Sequence, residues 1–183
     1  MRIIAGIFKG RKIKQPPLKA VRPTKDRVRE SVFNIISGEV PHSIVLDLFA
    51  GSGAYGLEAL SRGAEKAVFI EKNKRCINII EENILALEIE HNSKLINEDA
   101  FKAIETLGED KEKFDIVFSD PPYGKGMAKK TLIMINHYDI LNPTGLLIIE
   151  HERAEEVPEA QGTVSILKQK TYKNIVISIF QRK

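Results

Sequence analysis

The sequence predicts an α/β protein with a mostly parallel sheet whose two faces are covered by helices. Three observations carry this. From residue 44 onward, short apolar runs alternate with amphipathic stretches. A glycine-rich turn follows the first of these runs, as a strand-to-helix connection requires. Apolar residues make up 43% and charged residues 29% of the 183-residue chain, the balance of an ordinary globular protein.

The elements follow in order. Ile3, Ile4, Ile7, Phe8 and Ile13 interleave with cations and are punctuated by Gly6 and Gly10, which predicts a short β-hairpin. Gln15-Pro16-Pro17 breaks regular structure, and Thr24 is placed to cap a helix. Val28, Val32, Phe33 and Ile36 recur at helical spacing until Gly38. Lys25 and Arg29 are expected on the opposite, solvent-facing side of that helix. Strands are predicted at 44–48, 67–71, 93–96, 114–119 and 145–150, and helices at 54–62, 73–87, 100–107 and 127–137. The chain closes with two strands, 163–169 and 174–180, whose short link near Thr171-Tyr172 forces antiparallel pairing. No linker separates independent domains; residues 1–38 read as a basic extension on a body spanning 39–183.

Charge divides the chain in the same place. The net charge of +3 combines a segment 1–29, with ten Lys/Arg against one acid, and a remainder with 18 basic and 24 acidic groups. A basic arm on an acidic body suggests a polyanion partner. The arm cations singled out are Arg2, Lys9, Arg11, Lys12, Arg22, Arg27 and Arg29, with Thr24 at the helix start. No apolar run reaches membrane-spanning length, and the N-terminal apolar stretch is too short for a signal peptide. One cysteine, Cys76, excludes an intrachain disulfide and a Cys-rich zinc site, and the histidines lack ligand spacing. A cytoplasmic, metal-free protein is expected. Cys76 itself reads as a partly buried thiol in preference to one activated by Lys74 and Arg75.

Two motifs carry chemistry. After the first strand, Gly51, Gly53 and Gly56 satisfy a Gly-x-Gly-x-x-Gly nucleotide loop, and Glu71 closes the second strand 18 residues beyond Gly53. Asp47, at the end of the first strand, discriminates between ligands. About 4 Å from a unit charge it contributes roughly 4 kcal/mol at an effective dielectric near 20, with the sign set by the ligand. It would repel a pyrophosphate and attract the ammonium of S-adenosylmethionine, so a cationic cofactor is favoured over a dinucleotide. The second motif, Asp120-Pro121-Pro122-Tyr123, follows an apolar strand. Its carboxylate can accept from an amine, its prolines fix φ near −65°, and its tyrosine offers a face for a base. Lys125, Lys129 and Lys130 stand near it, equally suited to phosphates or to a solvated helix face.

Together, Asp47-Leu48-Phe49-Ala50-Gly51-Ser52-Gly53, Glu71, Asp99 and Asp120-Pro121-Pro122-Tyr123 resemble the AdoMet-dependent amino-methyltransferases of the Rossmann-like class. Arg2-Ile3-Ile4-Ala5-Gly6, Lys9-Gly10-Arg11 and the stretch from Arg22-Pro23-Thr24 to Glu30 are similar to one branch, the RsmD-type 16S ribosomal RNA guanine-N2 methyltransferases of bacteria. The resemblance implies a class I fold, with a mostly parallel seven-stranded sheet ending in an antiparallel strand. It implies methyl transfer from S-adenosylmethionine to guanine N2 in 16S rRNA, within a small ribosomal subunit or its assembly intermediate. It places Asp120, Pro121, Pro122 and Tyr123 on the target base. Asp47, Phe49, Ala50, Gly51, Ser52, Gly53, Glu71 and Lys72 would hold the cofactor, with Asp99, Ala100 and Phe101 beside its adenine. A helix N-cap is the competing reading of Asp99. Tyr55, where the family has a smaller aliphatic residue, and Lys173, where it tends to glycine, depart from the pattern. The same amine grip would serve a nucleic-acid adenine-N6 methyltransferase, and a non-catalytic RNA-binding assembly factor could retain the fold; a nicotinamide dehydrogenase is disfavoured by Asp47.

Overall fold

A computed structural model describes residues 1–17 and 24–183. Among these residues, thirteen helices and strands run in the order α1 (Thr24–Ile35), β1 (Ile44–Leu48), α2 (Ala54–Ser61), β2 (Lys66–Glu71), α3 (Lys74–Leu87), β3 (Ser93–Asn97), α4 (Ala100–Glu109), β4 (Phe114–Ser119), α5 (Met127–His137), β5 (Leu141–Glu152), β6 (Ala160–Gln161), β7 (Val164–Tyr172) and β8 (Ile175–Arg182). The strands form one sheet in the order β3-β2-β1-β4-β5-β8-β7-β6. Pairing is parallel from β3 to β5 and antiparallel from β5 to β6.

Eight strands among the described residues replace the expected seven. The extra one is β6, two residues paired with the start of β7, too short to leave an alternating pattern. β5 also begins at Leu141, not 145, because Asn142-Pro143-Thr144-Gly145 reads as a turn. Its pairing with β4 skips there, from Phe114↔Leu141 to Ile116↔Leu146, a bulge that absorbs the proline. The β7–β8 turn lies past Tyr172, with Lys173 at φ 53. That left-handed conformation is the one glycine adopts without steric cost.

Strand alternation sorts the core. Val45, Phe69, Phe118 and Ile148 pack under α1, α2 and α3, and Leu46, Val68, Val117 and Leu147 pack under α4 and α5. Ile3 and Ile13 of the arm join the first of these layers. The expected hairpin is reduced to one bridge, Arg2↔Lys12, closed by backbone bonds from Ile3 N to Arg11 O and from Gly10 N to Ile3 O.

What docks the arm is a buried carboxylate on α2. Glu58 accepts from Ile4 N at 2.8 Å and Ala5 N at 3.0 Å, and from Arg62 Nε at 2.8 Å. Arg29 Nε lies 3.8 Å from it. The arm fits so closely that a Cβ on Gly6 would sit 1.7 Å from Ser61 O. Breaking a buried charge network by deleting one partner typically costs about 3–5 kcal/mol. Glu58→Ala should therefore lose stability on that scale in urea unfolding and open Lys9 and Arg11 to trypsin. A loss below about 1 kcal/mol with an intact arm would show that apolar contacts alone dock it.

Candidate active site

β1 lies between β2 and β4, so the strand order reverses beside it, and a crevice opens at the C-terminal strand ends. Register sets the chemistry there. Asp47 pairs with Phe69 on β2 and Phe118 on β4, and Phe118 pairs with Ile148 on β5. Two residues on, along the same face, come Glu71, Asp120 and Glu150. Four adjacent strands thus each bring one carboxylate to the same edge.

Asp47 is buried, and its Oδ2 accepts from Gly56 N at 3.0 Å. Burial, opposed by that hydrogen bond and reinforced by Asp120 and Glu71, pushes its pKa up to about 8. The loop above it turns through Phe49 at φ 58, an uncommon conformation for a non-glycine residue. Ala50 N donates to Ile70 O, Gly53 N donates to Ala50 O, and the buried Ser52 carbonyl accepts from Asn83 Nδ2. Gly56 is required for packing: a Cβ there would lie 2.3 Å from the fully buried Phe69 ring.

Glu71 closes the loop from the other side, accepting from Gly51 N at 2.9 Å and Asn73 N at 2.8 Å. Asp99 caps α4 through Phe101 N and pairs with Lys72 at 3.2 Å. The helix-cap reading of Asp99 is therefore the one its geometry displays. Partial burial raises its carboxyl pKa, but the bonds from Phe101 N and Lys72 outweigh this and leave it lowered. Phe101 meets Phe49 edge to face at 5.7 Å, and Lys130 Nζ covers its ring at 4.0 Å. This gives Lys130 a local partner.

Asp120 leads out of β4, followed by buried Pro121, exposed Pro122 and half-buried Tyr123. Tyr123 Oη donates to Glu150 at 2.7 Å, and Tyr55 Oη lies 3.5 Å from the other oxygen of Glu150. Tyr55 packs well despite its size, stacking on Phe118 at 4.8 Å. Burial and then Glu150 hold its hydroxyl pKa well above the usual phenol range.

Two cavities flank Phe49 and share Asp120. One, of about 220 Å³, has Asp47, Gly51, Tyr55, Asp120, Glu150 and Arg29 in its wall, roofed by Met1, Gln15 and Pro16 of the arm. The other, of about 150 Å³, reaches Glu71, Lys72, Ala100 and Pro122. Cys76 borders the first cavity, and burial together with Glu71 raises its thiol pKa, the reverse of activation.

The arm cations divide. Arg2, Lys9, Arg11, Lys12 and Arg27 are exposed. Arg29 is a correction: it is buried, with its side chain contacting the Met1 sulfur, Arg2 O at 2.8 Å and Asp26 at 3.4 Å. It stands three residues before Val32 and four before Phe33, which places it on the packed face of α1. Arg22 and the side chains of Thr24 and Lys25 lie outside the described residues. Sequence reasoning missed Glu150, Glu58 and the arm residues that roof the cavity.

The family described as Conserved hypothetical protein 95 matches residues 1–181. The chain belongs to this family. It is the RsmD type that the arm and loop motifs resemble. Within the Conserved hypothetical protein 95 family, the chain is 33% identical over 182 residues to Ribosomal RNA small subunit methyltransferase D of Escherichia coli (strain K12), covering 100% of this chain and 90% of that one. It is 35% identical over 183 residues to YlbH of Bacillus subtilis (strain 168), covering 100% of both. The solved structure of yhhF from Escherichia coli superposes with a TM-score of 0.89 at 33% identity, over 100% of this chain and 98% of that one. Among the described residues no helix is long and apolar enough to cross a membrane.

The raised Asp47 pKa fixes a pH dependence. An aspartate whose folded pKa lies above its unfolded value of about 3.9 stabilises the fold while protonated. That contribution is complete below about pH 4 and is lost as pH rises to about 8. Urea unfolding of the ligand-free protein at pH 5, 6.5 and 8 should show Asp47→Asn gaining on wild type with rising pH, by at most about 1.4 kcal/mol per unit. Parallel pH profiles would contradict the shift.

Proposed function

We propose that this chain transfers a methyl group from S-adenosylmethionine to ribosomal RNA, at the exocyclic N2 of a guanine in the 16S RNA of the small subunit. The observation that carries the reading is the carboxylate row with Asp120-Pro121-Pro122-Tyr123 at its centre. The relatives bearing a small-subunit rRNA methyltransferase name support the substrate class.

The wall of the larger cavity suits a cationic ligand. A carboxyl pushed to a pKa of about 8 by burial, Asp120 and Glu71 regains its charge when a cation is placed beside it. In this reading Asp47 holds the methionyl ammonium, and the backbone from Phe49 through Gly53, with Ala50 and Ser52, lines the methionyl part. Glu71 meets the ribose. Lys72, Asp99, Ala100 and Phe101 border the adenine, with the remaining acceptor capacity of Asp99 serving its amine.

The cofactor supplies an electrophilic methyl carbon on a sulfonium; positioning the acceptor is left to the protein. The guanine N2 lone pair is delocalised into the ring, so the amine is a poor nucleophile until it is oriented. Asp120 and the Pro121 carbonyl accept its two N–H bonds and turn the lone pair toward the methyl carbon. Pro122 keeps the carbonyl direction rigid, and Tyr123 stacks on the extruded base. Positioning of this kind reaches roughly 7–11 kcal/mol in intramolecular models. As the nitrogen–carbon bond forms and the carbon–sulfur bond breaks, the amine becomes cationic, and Asp120 is placed to take the proton.

Residues 1–38 act in this reading as the RNA-contacting extension of a catalytic domain spanning 39–183. Arg2, Lys9, Arg11, Lys12 and Arg27 are the exposed cations that meet phosphates, with Arg22 and Thr24 assigned to the same surface. Arg29 serves the arm from within.

Two experiments test these roles. Asp120→Ala should abolish methyl transfer to rRNA while S-adenosylmethionine affinity, read by equilibrium dialysis, stays within a few-fold; wild-type turnover would remove the clamp role. Neutralising Lys9, Lys12 and Arg27 together should flatten the salt dependence of RNA binding by about 0.7–0.9 in log–log slope for each phosphate that is no longer neutralised. An unchanged slope would place the polyanion elsewhere.

A further inference from the structure

We propose that Glu150 is the residue that selects guanine over adenine, by accepting a hydrogen bond from N1–H of the target base. The proposal rests on the methyl-transfer reading above and deepens it, because Asp120-Pro121-Pro122-Tyr123 grips any exocyclic amine and does not distinguish the two purines.

Three observations place Glu150 on the base. Ser119, the last residue of β4, pairs with Ile149 in parallel register, so Asp120, just past that strand end, follows at the level of Glu150 on β5. Such strands lie about 4.8 Å apart, a separation that lets two acceptors address neighbouring donors on one ring. Both residues also line the 220 Å³ cavity. The Glu150 carboxylate is held in place: Tyr123, the aromatic member of the amine grip, donates to Oε1 at 2.7 Å, and Tyr55 Oη lies 3.5 Å from Oε2. Glu150 is only 4% exposed, and Arg29 shares its cavity wall. A buried carboxylate held by the Tyr123 hydroxyl thus lines the same cavity as Asp120, and a carboxylate can accept more than one hydrogen bond.

The chemistry then separates the purines. Guanine presents N1–H and the N2 amine side by side, both donors. Adenine presents its N6 amine beside N1, an acceptor. With Asp120 on the amine, Glu150 meets a donor in guanine and a lone pair in adenine. With the Arg29 guanidinium in the same wall favouring the ionised form, Glu150 acts as an acceptor only, so adenine leaves it without a base donor in a buried site and adds repulsion. Sites built around a substrate hydrogen bond reject analogues lacking it by factors that reach 10⁴–10⁵.

The test uses the full-length enzyme and small-subunit RNA carrying either guanine or 2,6-diaminopurine at the position the wild type labels. Diaminopurine keeps the N2 amine but has an acceptor at N1. Wild type should prefer guanine by roughly 10²-fold or more in kcat/KM. Glu150→Gln, whose oxygen keeps the Tyr123 bond and whose amide NH2 faces the base, should lower guanine methylation and bring the two bases within about tenfold. Equal methylation of both bases by wild type would overturn the proposal without recourse to any variant. So would a Glu150→Gln enzyme that slows on both bases by one factor, since that is what mere support of Tyr123 predicts. If wild type methylates neither base, the methyl-transfer reading itself fails, a distinct result.

Discussion

The parallel register of β2, β1, β4 and β5 is the constraint on which the site depends. Side chains on a sheet face repeat every second residue, so pairing Asp47 with Phe69 and Phe118, and Phe118 with Ile148, fixes where Glu71, Asp120 and Glu150 emerge. A slip of one residue in any pair would send a carboxylate to the other face, among Leu46, Val117 and Leu147. Buried apolar residues on both faces hold the register, and the charges ride on it. The fold bears a cost: the Asp47 pKa is pushed up to about 8 because burial and two neighbouring acids oppose its ionisation. A buried carboxyl flanked by two further acids is suited to a ligand bringing an ammonium and a sulfonium.

A second buried charge network joins the arm to that site. Glu58 gathers the arm backbone at Ile4 and Ala5 and balances Arg62 and Arg29. Through this contact Met1, Gln15 and Pro16 reach the cavity wall. The segment with the densest positive charge therefore also roofs the proposed cofactor cavity. Arg29 Nε has no hydrogen-bond partner among the described residues although buried. Its guanidinium is, among those residues, the one arginine or lysine side chain in the wall of a cavity bearing Asp47, Asp120 and Glu150. Arm docking and cavity electrostatics are two aspects of one cluster.

Much of this is legible in the sequence, for identifiable reasons. Strand–helix alternation reveals the order of the elements because both sheet faces are buried, so the strands are apolar runs. Asp47, the loop glycines and Asp120-Pro121-Pro122-Tyr123 stand out because their spacing is local. β6 and the first residues of β5 escape because two paired residues and a proline-bearing bulge have no periodicity. The charge of Arg29 points to solvent and its spacing from Val32 and Phe33 points inward; the spacing decides. Glu58 and Glu150 carry no local signal. Each is an acid beside an apolar run, and each acquires meaning only when a distant partner, the Ile4–Ala5 backbone or the Tyr123 hydroxyl, is folded against it.

In the proposed reaction the carboxylate row presents a cationic methyl donor to the amine of a guanine in small-subunit RNA. Its most direct test supplies methyl-labelled S-adenosylmethionine and the purified protein to small ribosomal subunits and their precursors from a strain lacking the gene. Nucleoside digestion and mass spectrometry then identify the modified atom. Label is expected in N2-methylguanosine at one position of the 16S RNA. Label in N6-methyladenosine, or none in any RNA despite bound cofactor, would contradict it.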